Sequence, residues 1–572
     1  MMRHIKIAAV AVAVGLLVAA CSSSKTASPS TSSASGSPSS TQASSDINAV
    51  HKKGGTVTIG NTMGQTWNCH FNPFNPNDYN QVVGYAYEPL VFVNALKNSA
   101  ETPMLATSYT WSADKKSIVF TIRDGVKWSD GQPFSAADVV FTFNLMKKNS
   151  ALDMFALWTS AGLQQVSAAG NQVTMTFKQP AQTYFFYVAS QVGIVPQHIW
   201  SAGDAASAPA TWANSKPVGT GPFTVGVCTT NNITYTANQN YWMPNKPSIQ
   251  TVQYPAYIDN NPCNLDLAND KAQWGNQYIP NVQQFYTAKS PDHHTWNPVT
   301  NNLSLYPNLD PSHKGTSVLA VRQAIAYALD RSQIAAVGES GQLPAGNQAA
   351  IVLPTFQKYF DSAALTASGY DKPNVEKAKQ LLATAGYSLS KPLALTVISI
   401  TGYTDWDASL AVIKQQLKPI GINLTVVDLE QQAYNDRLFN GNFDLAYNNS
   451  SQRGPTPYYE LRYSLDSANT AAIGKQANGN WERYSNPAVD KLFKEYTSAD
   501  DAGQVAIIKQ ISSYVIKDVP IIPTVSYGSW YQYNTQDLLG WPTANDPYAQ
   551  PGPYTVPDAE QVLLRLYSKS AQ

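Results

Sequence analysis

Apolar side chains recur at every second position from Ser117 to Ile122, with Ile118, Phe120 and Ile122 on one face, and a period of two predicts a strand. Asp124-Gly125 predicts a hairpin turn, with Val126 and Trp128 on the return strand, because both turn residues tolerate positive φ. Asp130-Gly131 marks a second turn, Pro133 bars the strand from continuing, and Ser135 with Asp138 three residues on predicts a capped helix. Val321, Ala324, Ile325, Ala328 and Leu329 form one apolar stripe, predicting a helix over Val321–Arg331. Leu393–Ile400 reads as a buried strand, Thr401–Asp407 as a loop, Ala408–Lys418 as a helix and Ile422–Leu429 as a strand. That order is a crossover unit with parallel strands. Further strands are expected over Gly54–Asn61, Phe443–Asn448 and Val519–Tyr527, a hairpin over Asn231–Asn240, and helices over Asn486–Glu495 and Val505–Ile516. The chain is α/β and shows no internal repeat.

The first 20 residues carry a different pattern. Arg3 and Lys6 precede the apolar run Ile7–Val18, too short to span a bilayer and suited to an export signal. Val18-Ala19-Ala20-Cys21 resembles a bacterial lipobox, which implies cleavage before Cys21 and lipidation there. Multiple acyl chains would hold the chain at a membrane surface. Ser22–Asp46 is Ser, Thr, Ala and Pro with almost no apolar side chains, so it reads as a flexible tether.

Charge and thiols narrow the chemistry. The 38 basic and 38 acidic side chains cancel, which argues against nucleic acid as a partner. Charged residues make up 13% and aromatic residues 11%, so polarity comes through amides, hydroxyls and aromatic edges. Export exposes Cys69, Cys228 and Cys263 to oxidising conditions. The expected disulfide joins Cys228 to Cys263, which fall in what reads as one domain.

The run Trp111–Phe143, with its core WSDGQPFSAADVVFTF, resembles the identifying segment of the extracellular solute-binding proteins of family 5, which serve ABC importers of peptides, nickel and oligosaccharides. Tyr87-Glu88-Pro89-Leu90, Val195-Pro196-Gln197-His198, Pro217–Phe223, Tyr241-Trp242 and the Val321–Arg331 helix match the same family. The resemblance implies a two-lobed periplasmic-binding-protein fold (type II, cluster C-like) with an extra subdomain in lobe one and a central cleft. The implied domains are a signal at 1–20, a lipidated tether at 21–53, and lobe one at 54–80, 191–302 and 518–572. Its subdomain takes 81–190 and lobe two takes 303–517. A monomeric receptor that delivers its ligand to a permease, without a cofactor, is the implied function.

No HExxH, GxSxG or P-loop pattern occurs, so nucleophilic, zinc-hydrolytic and phosphate-transfer sites lack their signatures. His293-His294 and Cys69-His70 read as structural, because adjacent side chains rarely chelate one metal. A surface hydrolase is the rival class and lacks a placed catalytic set. Open α/β lobes bind ligands in loops beyond strand carboxyl ends. Those loops hold Trp67, then Tyr403 and Trp406, then Asn449, Arg453 and Tyr458, and the resemblance adds Trp274, Asn276, Gln277 and Tyr278. Peptide-binding relatives place an Asp in the loop matching Asn448–Tyr459, whereas this chain reads NNSSQRGPTPYY there. A buried ammonium needs an acidic partner, so the expected ligand is a short oligosaccharide, cellobiose-like, ahead of an oligopeptide.

Overall fold

A computed structural model of the protein describes residues 46–62, 66–449, 454–477 and 479–571. The expected signal, the lipidation residue Cys21, the tether to residue 45, and Arg453 lie outside the described residues.

Lobe one is built on a seven-stranded sheet. Its central strand, Thr56–Gly60, runs parallel to Thr251–Pro255 and to Trp274–Gly275. A hairpin extends the sheet on one side as Phe223–Thr229 and Asn232–Ala237; it begins earlier than the expected Asn231–Asn240, which supplies only its second strand. On the other side lie Gln532–Asn534 and His293–Thr295. Three of the sequence motifs meet here. Glu88 accepts hydrogen bonds from Trp242 Nε1 at 2.8 Å and Tyr241 OH at 3.1 Å. Gly219 and Gly221 let their segment lie against that turn, because an added Cβ would stand 1.8 Å from the Ala86 carbonyl oxygen and 2.5 Å from that of Tyr85.

The subdomain is a four-stranded antiparallel sheet, ordered Ala106–Trp111, Ser117–Ile122, Gln172–Phe177, Leu163–Ala169, with helix Ala136–Lys148 against it. Ser135 caps this helix as expected: its Oγ accepts from Ala137 N–H, and Asp138 accepts from Ser135 N–H at 2.9 Å. The expected return strand through Val126 and Trp128 does not form. Both edges of Ser117–Ile122 are taken by strands from elsewhere in the chain, leaving this segment a single bridge between Lys127 and Pro133.

Lobe two carries a five-stranded sheet, ordered Ile422–Leu429, Leu393–Ile400, Leu445–Asn449, Val299–Pro307, Ile522–Gly528. The first two strands are parallel over eight residue pairs, as the crossover pattern requires. The predicted helix between them begins earlier than expected, at Thr404.

Two connections join the lobes. The chain leaves lobe one after His293–Thr295 and enters lobe two as Val299–Pro307; it returns from Ile522–Gly528 into Gln532–Asn534. The outgoing and returning strands pair with each other in both sheets. At Gly528 they lie too close for a side chain, since an added Cβ would stand 1.9 Å from the Pro298 carbonyl oxygen.

The disulfide differs from the expected one. Cys69 is bonded to Cys228, and Cys263 is a free, buried thiol. The loop after the first strand lies along the end of the hairpin, with Trp67 N–H donating to the Thr230 carbonyl at 3.0 Å, which brings Cys69 to Cys228. Cys263 instead faces a small separate core with Leu267, Ile279 and Tyr286. Membership of one lobe did not set proximity; packing of the loop against the hairpin end did.

Candidate functional site

The lobes meet along a seam to which each contributes hydroxyls and aromatic rings. From lobe one, Tyr278 follows the short strand Trp274–Gly275 and reaches lobe two, its OH 2.8 Å from Ser340 Oγ. Its neighbour Ile279 accepts a hydrogen bond from Gln342 Nε2 at 3.0 Å through its carbonyl. The Tyr278 ring packs 5.0 Å from that of Trp530, just past the returning strand. From lobe two, Tyr459 OH donates to the Thr183 carbonyl of the subdomain at 2.8 Å. Its ring meets Phe186 at 5.4 Å and Tyr187 at 5.2 Å. A cavity of about 250 Å³ also spans the two sides, lined by Leu96, Asn98 and Ser99 from the subdomain and by Thr355, Lys358 and Tyr359 from lobe two.

Beside Tyr278 the seam holds two acids. Asp405 sits in the first turn of helix Thr404–Leu417 and accepts from Tyr527 OH at 2.9 Å; that hydroxyl in turn accepts from Trp530 Nε1 at 3.2 Å. Glu339, at the end of the helical turn Ile334–Gly338, accepts from Ser409 Oγ at 2.8 Å. Its second oxygen has no hydrogen-bond partner among the described residues. Glu339 is 0% exposed and Asp405 4%. Burial pushes both carboxyls up, Asp405 to about 6, and the Asp405 charge raises Glu339 further. Among the described residues no Lys, Arg or His forms an ion pair with either.

The residues singled out from sequence fall in several places. Tyr278 bridges the seam. Asn276 Nδ2 donates to Tyr554 OH at 3.2 Å, and Gln277 accepts from Thr62 Oγ1 at 2.9 Å. Both are buried. Tyr403 precedes helix Thr404–Leu417 and is 41% exposed. Asn449 ends its strand, half-buried. Trp67 and Trp274 belong to the lobe-one core. Their indole N–H groups donate to the Tyr254 and Pro551 carbonyls at 2.9 and 2.6 Å. Trp406 is buried against Tyr403 and Tyr447 in lobe two, and Tyr458 stacks on Tyr496 at 4.3 Å. Two segments read as loops are helical where it matters: Asp405 and Trp406 lie in a first turn, and Pro457 opens helix Pro457–Leu465. Proline at the first helical position was the signal that would have turned Tyr459 toward the seam. Nothing in the sequence singled out Glu339, Asp405 or Thr183.

The histidine pair is split. His293 packs on Tyr286 and contacts Asp270 at 2.7 Å, while His294 contacts Thr535. Among the described residues no group of three His, Cys, Asp or Glu side chains is placed to hold a metal ion, and no helix is long and apolar enough to cross a membrane.

Residues 101–472 match the family model for bacterial extracellular solute-binding proteins, family 5. The chain belongs to this family. Similar proteins include the nickel-binding periplasmic protein of Escherichia coli, 24% identical over 84% of this chain and 91% of its own length. The periplasmic oligopeptide-binding protein of the same organism is 24% identical over 74% and 79%. Among solved structures, an oligopeptide ABC transporter's periplasmic binding protein from Thermotoga maritima with mannohexaose bound superposes with a TM-score of 0.78. It is 26% identical, covering 90% of this chain and 98% of that one. The family expectation and the two-lobed α/β fold are both borne out. Family 5 proteins bind solutes, which makes the seam between the two lobes the candidate place for a ligand.

Proposed function

We propose that this chain is the lipid-anchored receptor of an ABC importer, capturing a short oligosaccharide, cellobiose-like in size, between its lobes and delivering it to the permease. The observation that carries this reading is the seam itself. Both lobes line it with tyrosine hydroxyls, aromatic faces and amides, an inventory that suits a hydroxyl-rich ligand, while the two acids beside Tyr278 are buried rather than presented to a ligand. The mannohexaose bound by the Thermotoga maritima protein supports the same class. Anchoring rests on the Val18–Cys21 sequence.

An oligopeptide is the second reading, favoured by the names of the relatives, several of which are oligopeptide- or dipeptide-binding proteins. A thermal-shift panel of cellobiose, cellotriose and tri- to pentapeptides separates the two. Stabilisation by the glucosides alone is the expected result; stabilisation by the peptides alone replaces the first reading with the second. Hydrolysis of any probe by the purified chain would move the protein to a different class.

A further inference from the structure

The Glu339–Asp405 pair has a property that the binding reading does not use. Two carboxyl groups are enclosed at the seam, one oxygen of Glu339 lacks a hydrogen-bond partner among the described residues, and neither acid has a cationic partner there. Two negative charges cannot be desolvated together without compensation. A proton held by the pair removes most of that cost.

Lobe one contributes to the enclosure. Asp405 and Glu339 belong to lobe two, but Tyr278 comes from lobe one, and its hydroxyl rests on Ser340 Oγ, one residue beyond Glu339. Tyr527 and Trp530, the donors in the chain leading to Asp405, lie on the returning connection between the lobes. Withdrawing lobe one would carry Tyr278 away and admit water to the acids. The pair is therefore in contact with the moving lobe and with the hinge.

We propose that lobe closure takes up a proton at the Glu339–Asp405 pair, so that the receptor closes more readily as pH falls. The proposal rests on the reading of this chain as a receptor that opens and closes. The titratable groups facing the pair are four tyrosines, Tyr278, Tyr403, Tyr447 and Tyr527, and Asp407 further along the helix of Asp405. The tyrosines stay neutral at ordinary pH, as burial raises all four. Asp407 adds negative charge, which favours the proton on Asp405. The sign follows: carboxyls raised in the closed form stabilise it fully below the ordinary carboxylate range, and that contribution fades as pH rises through the closed-form values, about 6 for Asp405.

Small-angle scattering of the purified chain without ligand tests this between pH 5 and pH 8. The expected result is a larger radius of gyration at pH 8, with a midpoint near 6, and Asp405→Asn remaining at pH 8 as compact as the parent at pH 5. Glu339→Gln is the second variant: it keeps the acid that titrates near 6 and should keep a pH-dependent curve. A pH-independent profile in the parent overturns the proposal without either variant. So does a pH dependence that Asp405→Asn retains. Because no ligand is used, failure of every probe in the thermal-shift panel would count against the ligand reading and leave this test standing.

Discussion

Cys69 and Cys228 are 159 residues apart in sequence, so their bond removes much freedom from the unfolded chain. Loop-entropy arguments put such a cross-link at roughly 3–5 kcal/mol. Cys69→Ser should therefore lower stability by about that amount, read as a fall in the urea midpoint, with dithiothreitol producing the same fall in the parent. Cys263 behaves differently. It is buried and desolvation pushes its thiol well up, so little thiolate forms. Peptide mapping after alkylation should find Cys263 modified only when the chain is unfolded first.

At the level of elements, helix Pro457–Leu465 and the crossing strands tie the two lobes together. The first of these presents Tyr459, whose hydroxyl spans the seam to Thr183. Tyr459→Phe removes that hydrogen bond and keeps the ring contacts. A loss of about 0.5–1.5 kcal/mol from the closed form would weaken ligand binding by roughly two- to tenfold without moving the unfolding midpoint by more than a degree or two, as calorimetry with a probe from the panel would show. Gly528 sits where the outgoing and returning strands touch. Gly528→Ala should separate them and lower the thermal midpoint by several degrees, whereas Ser135→Ala, which loses one helix cap far from the seam, should cost only about 1 kcal/mol.

For the molecule as a whole, hinge closure and protonation are linked through the seam acids. For a probe that binds, such as cellotriose, affinity should weaken above pH 6 by up to tenfold per pH unit for one linked proton. Titration calorimetry in two buffers of different ionisation enthalpy should report proton uptake on binding at pH 7. Asp405→Asn should abolish both effects and bind as tightly at pH 8 as the parent does at pH 5.

Sequence by itself determined the elements whose causes are local: the Ser135 capping box, the period-two strand Ser117–Ile122 and the parallel crossover from Leu393 to Leu429. Each depends on residues within one strand, one turn or one helix. It also determined the family, because the WSDGQPFSAADVVFTF run and its companion motifs are contiguous. Only the tertiary structure decided which strand Ser117–Ile122 pairs with and which cysteine meets Cys69. It alone placed Trp67 and Trp274 in a core and Tyr278 on the seam. An indole that fills a lobe and one that faces a ligand have the same local pattern; what separates them is what the folded chain packs around the ring. The Glu339–Asp405 pair is the clearest case. Its members are 66 positions apart in the numbering, and each alone reads as an ordinary surface acid. Packing of the turn Ile334–Gly338 against helix Thr404–Leu417, with Tyr278 arriving from the other lobe, removes both from water and makes their charge matter.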